Sequence, residues 1–562
     1  MKRILSIAIL VLFVSTLAAQ APAKYWVHFK DKANSAYSIE RPEEFLSPRA
    51  LAKRARFNIA IDQSDLPVNQ NYIDQLLKID TNMVLLTKSK WLNGVTVYST
   101  TENIEKEIEK LPFVSYCECT AILKEEEKFD YPKFEYTPPK QTKEAVKYAK
   151  DGTLPYGYAT LQVSANRAHW LHKLGAHGEG MIIAVFDAGF KNADEISHFE
   201  ALREEGRLLG TRSFVFPGRS VFFTGSHGTE VLSCIAAYKP DEMIGTAPKA
   251  SFYLAQTEDG RSENKIEEDN WVAAIEWADS LGCDVINSSL GYYDFDIKSQ
   301  RYKYADMDGT VSRCSQAAGM AADKGMIVCA SAGNEGNDKW HYITAPADAE
   351  NIITVGAITP EGKPSNFSSY GPTADSRVKP DAAAIGSNAI VANPAGETIF
   401  SFGTSFSSPI LAGMVACLWQ LFPEKTPNQI IHTVRLAGSH ALSPTSQLGY
   451  GVTDFLTAYN LLKLTDAENV YVLTPSVTSK GAVKFRYQAE SATNFTIECR
   501  MDGSEKSFKQ TFSAKNTPDG KSQTGKLRLP QLPKDQKYNV IRLTITDLSS
   551  GHSYEQIIGK YK

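Results

Sequence analysis

Five short runs between residues 181 and 358 are apolar at almost every position: MIIAVFD (181–187), SFYLAQ (251–256), DVINSSLG (284–291), MIVCASAG (326–333) and IITVGAI (352–358). A strand with one wet face alternates, whereas a strand covered on both faces does not, so these runs predict a parallel sheet. Helical patterns lie between several of them, notably EDNWVAAIEWADSLG and VSRCSQAAGMAADKG. Strand and helix in alternation predict a doubly wound, mostly parallel α/β domain over residues 155–465. Its last helix is expected from TPNQIIHTVRLAG, with Thr426 as cap and Pro427 in the first position.

At 562 residues the chain exceeds one core, and its flanks read differently. Residues 21–122 mix patterns: KYWVHFK and NGVTVYST alternate as strands, while SPRALAKRARF and TENIEKEIEKL read as helices capped by Ser47 and Thr101. The basic residues in 52–57 are expected on a solvated helix face. Residues 123–154 are charged and proline-bearing, as in an exposed linker. From 466 to 562 six alternating segments predict a small antiparallel β-sandwich.

The amino end has Lys2 and Arg3, an apolar run from Ile4 to Leu17 and the small residues Ala18 and Ala19. That is a signal peptide, residues 1–20, and it predicts a secreted or cell-envelope protein with no transmembrane anchor after cleavage. Net charge is −4, which gives no footprint for nucleic acid. Export permits disulfides, but eight cysteines leave the pairing open. Cys234, Cys329 and Cys417 sit in apolar runs as small buried hydrophobes, and Cys117 and Cys119 share one strand face.

In α/β sheets, sites form beyond the carboxyl ends of the strands. MIIAVFDAG delivers Asp187 there, MIVCASAGNEG delivers Asn334, and TGSHGTEV sets His227 at the head of a helix. GTSFSSP then offers Ser405 between Gly403 and an apolar helix. A serine hydroxyl needs an imidazole to take its proton, and the imidazole needs a carboxylate to hold its tautomer. The side-chain amide of Asn334 and the N–H of Ser405 suit the oxygen of a tetrahedral intermediate.

The blocks FDAG, SHGTEV, ASAGNEG and GTSFSSP, in that order, resemble the subtilisin-like serine peptidases, the subtilase family. The resemblance spans about 155–460, with lesser matches at VINSSLG, NFSSYGP and KPDAAAIG. It implies a serine endopeptidase in which Asp187 orients, His227 is general base and acid, Ser405 is nucleophile and Asn334 is oxyanion donor. Ser289, Leu290, Gly291, Ala332 and Gly333 would edge a cleft where a protein or peptide substrate pairs as an added strand. Residues 21–122 become a propeptide that inhibits the site and is cut off within 121–154 by self-processing. The chemistry requires no cofactor; structural calcium is possible with unknown ligands, since YADMDGT reads as a turn.

The chain departs from the family in a 40-residue gap between the Asp and His blocks, in Ser407 and Ser408 where alanines are frequent, and at one position beside the base: the second histidine common three residues after it is Glu230 here. A carboxylate at that spacing can approach His227 and raise its pKa, or form a local ion pair. The rival reading is a catalytically silent subtilase fold serving as a scaffold of the cell envelope. An esterase would need a GxSxG elbow, which the Ser405 block lacks. His169, His172 and His177 are expected at the surface.

Overall fold

The computed structural model describes residues 22–123, 154–478, 482–501, 507–517, 521–529 and 540–559. The signal-peptide reading and nearly all of the linker reading, the cleavage region included, lie outside them.

Residues 22–123 form strands β1 (Ala23–Phe29), β2 (Val84–Ser89), β3 (Gly94–Ser99) and β4 (Val114–Ile122), in the order β2-β3-β1-β4. Helices α1 (Pro48–Arg56), α2 (Gln70–Leu77) and α3 (Ile104–Ile108) accompany them. Ser47 caps α1 as expected, accepting from the N–H of Ala50. Thr101 does not cap α3: the helix starts after Asn103, at φ 53°, and the Thr101 hydroxyl donates to Asp80 instead. The solvated-face expectation for 52–57 also fails in part. Lys53 and Arg54 are 5% and 3% exposed, because this face of α1 is pressed against the next domain.

That domain begins with α4 (Thr160–Ala165) and α5 (His169–Lys173). Its strands are β5 (Ile182–Asp187), β6 (Leu208–Ser213), a short pair β7 (Tyr238–Lys239) and β8 (Met243–Ile244), then β9 (Ser251–Gln256), β10 (Val285–Ser288), β11 (Ile327–Ser331), β12 (Ile353–Ile358) and β13 (Ala382–Ile385). Seven of them make one sheet, β13-β12-β11-β10-β5-β9-β6, in which every neighbouring pair is parallel. The apolar runs are therefore central strands, and both their faces are covered. Helix α8 (Ile266–Leu281) and α9 (Arg313–Ala321) pack one face, around Ala184, Phe186, Ile286 and Val328. On the other face lie α6 (Glu200–Glu204), α7 (Ser226–Ala236), α10 (Thr404–Leu421), α11 (Pro427–Leu436) and α12 (Phe455–Leu464). Their apolar side chains meet Ile183, Val185 and Val355. A hairpin, β14 (Ala389–Ala392) and β15 (Thr398–Ser401), leads into α10.

Thr426 caps α11 with Pro427 first, as expected. The last helix is nevertheless α12, capped by Asp454; its nearly all-apolar FLTAYNLL hides the helical period. His169 and His172 are buried, against expectation. The rings of His172 and Tyr156 meet in a 2.5 Å hydrogen bond, and burial pushes the His172 pKa down to about 4, so it stays neutral. Cys234, Cys329 and Cys417 are buried thiols, and all eight cysteines are unpaired.

The carboxy-terminal part stacks sheet β16-β17-β20 on sheet β19-β18-β21-β22. The strands are β16 (Val470–Val477), β17 (Ala482–Ala489), β18 (Thr493–Met501), β19 (Ser507–Ala514), β20 (Gln523–Arg528), β21 (Val540–Asp547) and β22 (Ser553–Gly559). All pairs in it are antiparallel, and β22 was not foreseen from the sequence.

Candidate active site

Asp187 ends β5 fully buried, and one of its carboxylate oxygens accepts from the N–H of Ala188 at 2.8 Å. His227 stands in the first turn of α7, whose N-terminus points at that strand end. The approach is close enough to require glycine: a Cβ on Gly228 would lie 2.1 Å from the carbonyl oxygen of Gly189 and 2.9 Å from the Asp187 Cβ. With no side chain there, the His227 Nδ1 comes to 2.8 and 3.0 Å from the two Asp187 oxygens.

Ser405 is the second residue of α10. Gly403, just before the helix, has φ 147°, outside the range that side-chain-bearing residues favour. The Ser405 hydroxyl donates to the carbonyl of Ser289 at 3.4 Å, and the Ser289 hydroxyl donates to the carbonyl of Ser405 at 2.8 Å. The ring of Phe406, the next residue, lies 5.7 Å from that of His227. Strand β5 and the heads of α7 and α10 thus bring Asp187, His227 and Ser405 to one rim of the sheet.

Asn334 emerges beyond β11 at the same rim. Its Oδ1 accepts from both the N–H and the hydroxyl of Thr404, at 2.9 and 3.0 Å. Because a fixed Oδ1 fixes the whole amide, its Nδ2 donors are aimed past Gly403, and Asn334 is exposed. Thr404 also donates to the carbonyl of Gly333. The predicted cleft residues lie at the exits of β10 and β11: Ser289, Leu290, Ala332 and Gly333 are buried and Gly291 is exposed.

Sequence reasoning missed the supports of this rim. Asn287 bridges the hydroxyls of Ser289 and Ser408, at 3.1 and 2.9 Å. A lone Asn inside the apolar strand VINSS was the available signal.

Burial alone would lower the His227 pKa, but the Asp187 carboxylate outweighs it, with Glu230 and Glu258 adding to the effect, so the imidazole is held above its ordinary 6.5. Glu258 accepts from the Tyr292 hydroxyl at 2.9 Å. Ligand oxygens of Glu258, Glu263 and Glu267 lie within 4.8 Å of one another, and hard carboxylate oxygens of this kind could hold calcium.

A buried carboxylate, an imidazole hydrogen-bonded to it and a hydroxyl at a helix tip are the working parts of one class of protein, the serine endopeptidases. Residues 178–452 match the model of the "Subtilase family", and residues 24–132 match that of the "Peptidase S8 propeptide domain, Bacteroidota". The chain carries a subtilase-family peptidase domain with an S8 propeptide domain ahead of it.

Among relatives, it is 26% identical over 294 residues to the thermostable alkaline protease of Halalkalibacterium halodurans, 52% of this chain and 70% of that one. It is 29% identical over 282 residues to subtilisin E of Bacillus subtilis, 50% of this chain and 64% of that one. Subtilisin BL of Lederbergia lenta is 28% identical over 305 residues, 54% of this chain and 97% of that one. Of solved structures, MycP1 with its N-terminal propeptide removed aligns at 24% identity and a TM-score of 0.43, covering 53% of this chain and 96% of that one.

Proposed function

We propose that this protein is a secreted serine endopeptidase, made as a precursor that processes itself and is inhibited until then by its own propeptide. The observation that carries the reading is the 2.8 Å bond from His227 Nδ1 to buried Asp187, beside the helix tip that bears Ser405. His227 Nε2 takes the Ser405 proton as the serine oxygen bonds to the scissile carbonyl carbon. Asp187 stabilises the imidazolium, which then gives the proton to the leaving amine. The Asn334 Nδ2 and the N–H of Ser405 hold the oxyanion; removing the Asn334 amide is expected to lower turnover by roughly 10²–10³. The substrate is a peptide or protein chain lying along 289–291 and 332–333. No step draws on a metal or other cofactor; calcium at Glu258, Glu263 and Glu267 would be structural. No helix among the described residues is long and apolar enough to cross a membrane.

A fluorophosphonate probe tests the reading. The processed chain is expected to take the label, the Ser405→Ala chain to take none, and His227→Ala to abolish self-processing. A folded, processed chain that takes no label would make it the silent scaffold. N-terminal sequencing of the secreted form would locate the cut.

A further inference from the structure

Glu230 is three residues after His227 on α7, so the two side chains share one helix face. Its carboxylate is shielded from solvent and accepts a hydrogen bond from the Ser401 hydroxyl at 3.4 Å. Ser401 is 1% exposed and ends β15, four residues before Ser405. One carboxylate therefore joins the helix that bears the base to the strand that delivers the nucleophile. Burying an acid is costly unless a partner compensates it, and the imidazole of His227 is the group that favours the charged form of Glu230.

We propose that Glu230 is a positioning residue of the peptidase reaction: it clamps α7 to the segment leading into Ser405 and sets a second negative charge beside the imidazolium of His227. The inference rests on the peptidase reading. The charged groups facing His227 are Asp187 from β5, Glu230 from α7 itself and Glu258 after β9, all acidic. Burial raises the Glu230 carboxyl above its ordinary value, with His227 opposing. Its charge is complete only above that raised value, and there it makes the imidazole harder to deprotonate. The imidazole must be neutral to accept the serine proton, so Glu230 moves the acid limb of activity upward.

Glu230→Gln keeps an oxygen for Ser401 and removes the charge. Its acid limb of kcat/KM on a chromogenic peptide is expected about half a pH unit or more lower, with KM within about twofold. Glu230→Ala also loses the clamp, and kcat is expected to fall about tenfold at unchanged KM. Ser401→Ala should lower kcat without moving the acid limb downward. An acid limb in Glu230→Gln equal to the parent's overturns the proposal, as does an equal fall of kcat in the Gln and Ala variants with no shift. A parent that takes no fluorophosphonate label overturns the peptidase reading and this proposal together; a labelled parent with an unmoved limb overturns only the role of Glu230.

Discussion

Strands β1–β3 of the propeptide domain lie against α8 and α9, on one face of the parallel sheet, while β22 of the carboxy-terminal sandwich lies against α5 and α12, on the other. The first contact is largely buried charge, with Trp91 reaching into the core beneath it. Glu276 accepts from the Ser89 hydroxyl at 2.6 Å, from the Lys90 N–H at 2.6 Å and from the Trp91 N–H at 3.0 Å. Arg54 lies 3.0 Å from both Asp65 and Asp279, and Thr96 donates to Asp269 at 3.0 Å. The second contact is apolar and shape-matched. Val540 and Ile557 join the core of the catalytic domain, and the Trp170 ring fills the space that a Cβ on Gly559 would need. Asn460 exchanges two 2.8 Å hydrogen bonds with the backbone of Ile557. Charged groups regain hydration when an interface opens, whereas apolar ones lose by it. The first surface suits a piece that leaves and the second a piece that stays.

The contrast is exposed most sharply by Arg54→Ala, which breaks two buried ion pairs at once and leaves Asp65 to Lys324 and Asp279 to Lys90. Docking is expected to weaken by about 3–5 kcal/mol, measured as the affinity of residues 22–123 for the rest of a Ser405→Ala chain cut at a protease site introduced within 124–153. Next in size is Gly559→Ala, whose added methyl would sit 2.3 Å from the Trp170 ring. It should cost about 1–3 kcal/mol, seen as faster amide exchange in β22, and leave the propeptide affinity unchanged. A change in both would show that the two surfaces communicate.

Raising salt from about 0.1 to 1 M should loosen the propeptide about fivefold, through its more accessible Arg49–Asp284 and Lys324–Asp62 pairs, while exchange in β22 stays constant or slows. The smallest effect belongs to neither surface and calibrates the others. His227 is held above its ordinary 6.5, so its pair with Asp187 stabilises the fold fully below 6.5 and loses that contribution as pH rises through the folded value. Urea unfolding of Ser405→Ala should show stability declining from pH 6 to 9, a decline absent when His227→Ala is added.

The sheet was legible because fully buried strands carry no alternation to misread. Strands β6 and β13 escaped: LLGTRS is half-exposed at the sheet edge, and AAAI has too little side chain to make an apolar run stand out. The blocks around Asp187, His227, Asn334 and Ser405 stood out because each of these residues has a glycine within two positions. What stayed hidden is whatever another domain decides. Lys53 and Arg54 look solvated on α1 alone and become buried only against Cys283, Asp279 and Lys324, residues more than two hundred positions away. His172 likewise looks polar in sequence and is satisfied by the Tyr156 hydroxyl and the distant carbonyl of Thr246.

The helix that begins at Thr404 runs 18 residues through the middle of the molecule, and its side chains are buried from Thr404 to Trp419. Its tip is as buried as its middle, so Ser405 is expected to loosen only together with the remainder. Warming such a molecule gives no gradual fading of turnover: the working end and the whole architecture give way at the same temperature.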